Sequence, residues 1–311
     1  MGGELNEVSP EFSSTYGYTA ASQVASLGHT FTTGSVSFTL GYNNDHQRKS
    51  LSTTDSTFLP AGLTTGAKSY TANNLNQYSA VAGSAFTYDK NGNLTSDGTW
   101  TYTYDTEGHL LTSAKAGTSI SYKYDPLERR ESKIVNGTAN TSYAVYGDRE
   151  IAEYSGTVGS AISWSKRFIY SAGLDEPVAS YDPVGNILYQ FADVQGSVIA
   201  QVNNLGQVTE KHGYTSYGLS NSLGTNTASY QYAGRRLDQD TGLYYNRARY
   251  YAPALGRFLN PDPIFIKGGL NLYAYTGNDP LNNVDPSGNF GIVIGGGLAG
   301  DLDSVLELTK P

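Results

Sequence analysis

The stretch YQYAGRRLDQDTGLYYNRARYYAPALGRFLNPDPIFIKGGLNLYAYTGNDPLNNVDPSG, Tyr230 to Gly288, decides how this chain is read. It combines a hairpin signal, aromatics interleaved with arginines, and two Asp-Pro pairs, at Asp262 and Asp285, 23 residues apart. Asp238 to Gly242 is a polar turn closed by glycine. Leu243 to Tyr251 alternates as a strand does, because successive side chains point to opposite faces. One face then carries Leu243, Tyr245, Arg247, Arg249 and Tyr251, which sets two guanidinium groups among rings, a geometry suited to stacking and to holding a carboxylate. Ala252 to Gly256 is a second turn and Arg257 to Leu259 a short extended piece. Pro261-Asp262-Pro263 stops it, since neither proline can donate to a ladder. After Gly268-Gly269, Leu270 to Tyr275 alternates again up to a turn at Gly277-Asn278-Asp279-Pro280. The segment closes on the turn Asp285-Pro286-Ser287-Gly288.

Outward from this stretch, toward the N-terminus, the sequence from Tyr16 to about Tyr217 is an imperfect repeat. Its clearest units start at Tyr88-Asp89, Tyr104-Asp105 and Tyr181-Asp182, a weaker one at Tyr124-Asp125, and looser ones at Tyr18, Tyr42 and Tyr70. In the clear units tyrosine ends a strand and the aspartate accepts backbone N–H groups. A glycine three residues later takes the left-handed conformation, and an apolar residue starts the return strand. Each unit makes a hairpin. The flanks Thr99 to Tyr104 and Ser119 to Tyr124 alternate cleanly, so one face is apolar and the other polar. Such sheets pair antiparallel and need their edges closed or covered.

Composition agrees. The 311 residues include 36 Gly and 26 Tyr with only 15% charged residues, which suits many short strands joined by turns. With no cysteine, neither a disulfide framework nor a thiolate metal site is available. A net charge of −8 argues against a nucleic-acid surface, which needs a basic face. No stretch reaches the roughly 18 consecutive apolar residues of a spanning helix, so the repeat region is not expected to use a membrane. No signal peptide is visible at Met1-Gly2-Gly3-Glu4.

The run GRRLDQDTGLYYNRARYYAPALGRFLNPDPI, followed by GGLNLYAYTGNDPLNNVDPSG, resembles the repeat-associated core of the Rhs/YD-repeat family, the shell-forming proteins of polymorphic toxins. The resemblance covers about sixty residues. It implies an all-β fold of antiparallel hairpins wound into a curved or partly closed shell with a C-terminal core plug. The expected organisation is a disordered or vector-derived start at 1–15, the repeat shell at 16–217, the core at 218–288, and a Gly-rich tail at 289–311. The resemblance further implies an aspartyl site that cuts the chain once and frees a C-terminal effector inside the shell. Carried over by motif, Asp262 and Asp285 are the dyad, Arg249 is the electrostatic partner, and the bond cut is Asn289–Phe290. Two positions depart from the family pattern: Phe265 stands where its first motif has glycine, and Asn289 where a large apolar residue usually precedes the cut. Partners implied are the chain's own effector segment, with secretion machinery or self-association. The implied location is outside the cell or on its surface, reached by a specialised route.

Two other readings stay open on the residues alone. All five Asp-Pro pairs can be simple turns, and the tyrosine-rich repeat face can instead belong to a non-catalytic adhesion or carbohydrate-binding module. No cofactor is expected. Gly295, Gly297 and Gly300 spell G-x-G-x-x-G but lack the second strand and acidic residue of a dinucleotide site, so this tail reads rather as the start of a further C-terminal region. His29, His46, His109 and His212 fall in turn-rich segments and read as solvated loop residues, and no metal site is expected.

Overall fold

A computed structural model describes residues 12–60, 68–171, 173, 176–224 and 228–294. Among them there is no α-helix, and every strand pairing is antiparallel. The repeat unit folds by its own chemistry. Strand Thr101–Tyr104 ends, the Asp105 carboxylate accepts the His109 N–H (2.8 Å), Gly108 adopts φ +92°, and strand Leu110–Lys115 returns. Asp89, Asp125 and Asp182 accept from their own turns in the same way. In the Asp125 turn the positive-φ place is filled by Glu128 (φ +63°) instead of glycine. Asn43, Asn73 and Asn203 do the aspartate's work elsewhere, since a side-chain amide oxygen accepts as a carboxylate does. The unit assigned to Tyr70 therefore turns at Asn73, three residues later, after strand Tyr70–Ala72.

These hairpins build a fourteen-stranded meander in chain order, from Thr87–Tyr88 to Ser220–Gly224. Strands Leu94–Ser96 and Val208–Tyr214 lie eleven places apart in it. In a flat sheet that is roughly 50 Å at about 4.8 Å per step. Yet the Leu94 N–H donates to Leu259 O (2.9 Å), and the Tyr251 hydroxyl donates to Tyr217 O (2.7 Å), just beyond the other strand. Tyr251 itself is paired with Phe258, the neighbour of Leu259. One small hairpin touches both ends of the sheet, so the sheet curls around it. Its edge strands do not pair with each other, and the curl stops short of a closed barrel.

Two smaller repeat sheets complete the wall: a four-stranded one from Ser13–Tyr18 to Arg48–Thr53, and a three-stranded one from Tyr70–Ala72 to Ser84–Ala85. The four-stranded sheet packs Leu27, Phe31 and Phe38 onto Phe191, Ile199 and Val202 of the long sheet. In the largest cluster, repeat residues Leu94, Trp100, Tyr102, Ile120 and Tyr122 pack with Leu243, Tyr245, Tyr250 and Leu259. Each such side chain contributes about 1.5–3 kcal/mol through burial, so repeats and core stabilise one another.

The structure corrects several expectations. Phe12 packs edge-on against Phe191 and Ser13–Tyr18 is already a strand, so an unfolded start does not extend through residue 15; residues 1–11 lie outside the described residues. His29 and His212 are buried strand residues, not solvated loops. His29 bonds Ser14 Oγ and Ala192 O because a second sheet covers its face, and burial lowers its pKa. Leu243 to Tyr251 is not one strand but two, Leu243–Asn246 and Arg249–Ala252, folded back on each other. Leu270 to Tyr275 forms turns with a single bridge at Ala274, because the loop is pulled inward by Tyr273 and Tyr275, both buried.

Candidate functional site

The site grows from the tip of that hairpin. Asn246 pairs with Arg249 across a two-residue turn in which Arg247 takes φ +57°, and both Asn246 and Arg249 are buried. Arg247 and Arg249 consequently do not share a face. Arg247 reaches Pro286 O and Asp148 O, whereas Arg249 turns inward over the Phe258 ring, 3.6 Å from its centroid. The Asp285 to Gly288 turn lies directly on this tip. Asn246 Nδ2 donates to Asp285 O (2.7 Å), and Gly288, at φ +75°, comes so close that a Cβ there would meet Asn246 O at 2.3 Å. Only glycine satisfies both the backbone angle and the approach.

Arg249 then gathers the motif. Its Nη2 lies 2.9 Å from Asp262 Oδ2 and 3.5 Å from Asp285 Oδ2, so these two oxygens are within about 6.4 Å of each other. Its Nε donates to Gly288 O and its Nη1 to Leu272 O (3.0 Å). Asp285 Oδ1 accepts the N–H groups of Gly288 (2.8 Å) and Asn289 (3.1 Å), and Asp262 Oδ1 accepts that of Ile264 (2.9 Å). Burial pushes the Asp285 carboxyl up to about 6, against the pull of Arg249 and the two N–H groups, with a small upward push from Asp262. Burial also raises Asp262, which Arg249 opposes, and burial lowers Arg249 itself. Two carboxyl groups both raised by burial beside one cation can differ in protonation, which lets the protonated one act as acid and the ionised one as base.

The peptide beyond the second turn is brought to the same place. A Cβ on Gly268 would be 2.3 Å from Asp262 Oδ2 and 2.8 Å from Asn289 O, so carboxylate and carbonyl oxygens lie within about 5.1 Å of each other. Asp262, Asp285, Arg249 and Asn289 are thus assembled, and Phe290 follows half-buried. Sequence reasoning missed Asn246 and Gly268, and Arg235, whose Nη1 donates to Pro286 O (2.9 Å). Asparagine beside a turn and glycine in a loop were the only signals for the first two, and Arg235 gave none. Phe265 adopts φ +55°, which explains why glycine suits that place; here phenylalanine occupies it, 68% exposed.

Other features stand apart from this site. A groove of about 620 Å³ between the four-stranded sheet and strand Ile187–Ala192 is lined by Phe12, His29, Tyr42, Arg48 and Phe191, none of which touches the dyad. Asp105, Glu107 and His109 bring ligand-type atoms within 4.8 Å of one another, but Asp105 and His109 are already joined as turn partners (2.9 Å). Gly295, Gly297 and Gly300 lie outside the described residues. Among the described residues no helix is long and apolar enough to cross a membrane.

A family model described as teneurin YD-shell matches residues 6–281. The tRNA3(Ser)-specific nuclease WapA of Bacillus spizizenii is 36% identical over 241 residues, covering 73% of this chain and 10% of that protein. The double-stranded DNA deaminase toxin A of Burkholderia cenocepacia is 30% identical over 243 residues, covering 65% of this chain and 17% of the toxin. The chain therefore spans between a tenth and a fifth of these relatives. Among solved structures, a TcdB2-TccC3 complex superposes with a TM-score of 0.64 at 18% identity, covering 89% of this chain and 18% of that one, and a Photorhabdus luminescens Tc holotoxin pore does so at 0.59 and 19%, covering 93% and 15%. These likenesses concern the fold.

Proposed function

The chain belongs to the YD-shell family, and from that premise we propose that it is the C-terminal shell and core of an Rhs-type polymorphic toxin that cuts its own chain after Asn289. The core segment at 218–288 serves as the plug of the shell. The shell holds a C-terminal effector segment, and the toxin leaves the producing cell by a specialised route. One pattern supports the carrier role. Similar stretches, about 240 residues long, occur in a tRNA nuclease and in a DNA deaminase toxin, two different chemistries that one shared stretch would not supply.

The observation that carries the cleavage reading is Arg249 bridging Asp262 and Asp285 beside the Asn289 carbonyl. The dyad works with one member protonated and the other ionised. The ionised carboxylate takes a proton from water, and the hydroxide so formed attacks the Asn289 carbonyl carbon while the protonated carboxyl gives its proton to the carbonyl oxygen. Collapse of that tetrahedral species breaks the Asn289–Phe290 bond, with a proton passing to the Phe290 nitrogen. Arg249 keeps the carboxylates facing each other, and its Nε bond to Gly288 O fixes the peptide next to the bond that breaks. Intact-mass measurement of the purified chain tests this: loss of the 22 residues after Asn289 in the wild type, abolished by Asp285→Asn, is the expected result. An uncut wild-type chain under native conditions refutes the cleavage and leaves the shell standing.

A further inference from the structure

We propose that Gly268 is a positioning residue of the cleavage site: its missing side chain is what lets the Asp262 carboxylate face the carbonyl of the Asn289–Phe290 bond. The inference rests on the cleavage reading above and adds a residue outside both Asp-Pro turns.

The backbone does not require glycine here. Gly268 has φ −80° and ψ −11°, an ordinary right-handed conformation open to any residue. The space does require it. A Cβ at this position would lie 2.3 Å from Asp262 Oδ2, 2.9 Å from its Cγ and 2.8 Å from Asn289 O, all well inside van der Waals contact. Neither neighbour can easily give way. Asp262 is pinned between Arg249 Nη2 and the Ile264 N–H, each at 2.9 Å, and Asn289 O belongs to a backbone whose N–H is held by Asp285 Oδ1. The loop thus separates two uses of glycine. At residue 265 the backbone angle favours glycine but phenylalanine occupies it, with its ring outside; at residue 268 the angle is permissive and the closeness excludes a methyl group.

Two measurements decide it. First, Gly268→Ala is compared with Leu270→Ala, a change at a side chain 89% exposed, by following loss of residues 290–311 from pH 5 to 8. Displacing the carboxylate from the carbonyl by about 1 Å is expected to slow cleavage roughly a hundredfold in Gly268→Ala, with Leu270→Ala cutting at the wild-type rate. Cleavage of Gly268→Ala at the wild-type rate overturns the inference. Second, Asp262 is titrated by carboxyl NMR in an Asp285→Asn chain, which stays uncut, with and without Gly268→Ala. The methyl group either pushes Asp262 off Arg249 or buries it deeper, and both raise its pKa. An unchanged Asp262 titration overturns the inference whether or not the wild type cleaves, whereas an uncut wild type with a shifted titration sinks the cleavage reading, and with it the catalytic part of the inference, and leaves only the placing of Asp262 by Gly268.

Discussion

Removing the ionisable group at residue 285 gives a pH-dependent stability change whose size follows from the site. Burial lifts the Asp285 carboxyl from 3.8 to about 6, about two units, and each unit corresponds to about 1.4 kcal/mol. Ionising it inside the fold therefore costs about 3 kcal/mol relative to the unfolded chain. A carboxyl raised in the fold binds its proton more tightly when folded, so its stabilising effect is complete below pH 4 and is lost as pH rises through 6. Asparagine at 285 still accepts from the Gly288 and Asn289 N–H groups and never ionises. The comparison is made in an Asp262→Asn background, which disables cleavage and removes only the smallest named cause of the shift. Urea unfolding of Asp262→Asn and of the Asp262→Asn/Asp285→Asn double variant should then show their stability difference moving by about 2.5 kcal/mol in favour of the double variant between pH 4 and pH 7.5. A difference that stays flat, or moves the other way, would mean that Arg249 outweighs burial and that Asp285 is a permanently charged structural carboxylate.

Other consequences follow from the same packing. Arg249→Met leaves two buried carboxylates without their shared cation and should cost about 3–5 kcal/mol near neutral pH, partly recovered in acid as both protonate; an unaffected melting temperature would contradict the bridging role. Glu128→Gly and Phe265→Gly each relieve a left-handed residue whose side chain is exposed, and each should raise stability by about 1 kcal/mol, with a thermal melt as the check and a lowered midpoint as the refutation. Tyr122→Phe removes the hydroxyl that donates to Asp238 (2.6 Å) between repeat and core, leaving Lys133 as that carboxylate's ion partner, and should cost about 1–2 kcal/mol in denaturant unfolding. No loss would mean that the bond is offset by water in the unfolded chain.

The repeat was legible because its information is local. Asp105, Gly108 and Leu110 sit within six residues, and the turn they make depends on nothing distant. The substitutes were harder to see: Glu128 in a left-handed place and Asn73 in the aspartate's role make the same turn with different letters. At the core, the Asp-Pro spacing pointed to Asp262 and Asp285, and the structure brings both to Arg249. The two-residue turn at Arg247 was hidden, because an unbroken run of tyrosine and arginine alternates alike whether it continues or folds back. Burial of His29 depends on a second sheet laid over its strand, which period-two alternation cannot announce. Gly268 was invisible for a similar reason: its neighbours, Asp262 and Asn289, are set by tertiary contact rather than spacing.

Cleavage carried out in heavy-oxygen water, followed by mass analysis of the 1–289 product, tests the dyad most directly. Aspartyl hydrolysis predicts one heavy oxygen atom in the new carboxylate of Asn289, in the wild type and in neither Asp262→Asn nor Asp285→Asn. A product lacking the heavy oxygen, or one ending in a ring closed by the Asn289 side chain, would show that the two aspartates do not activate water.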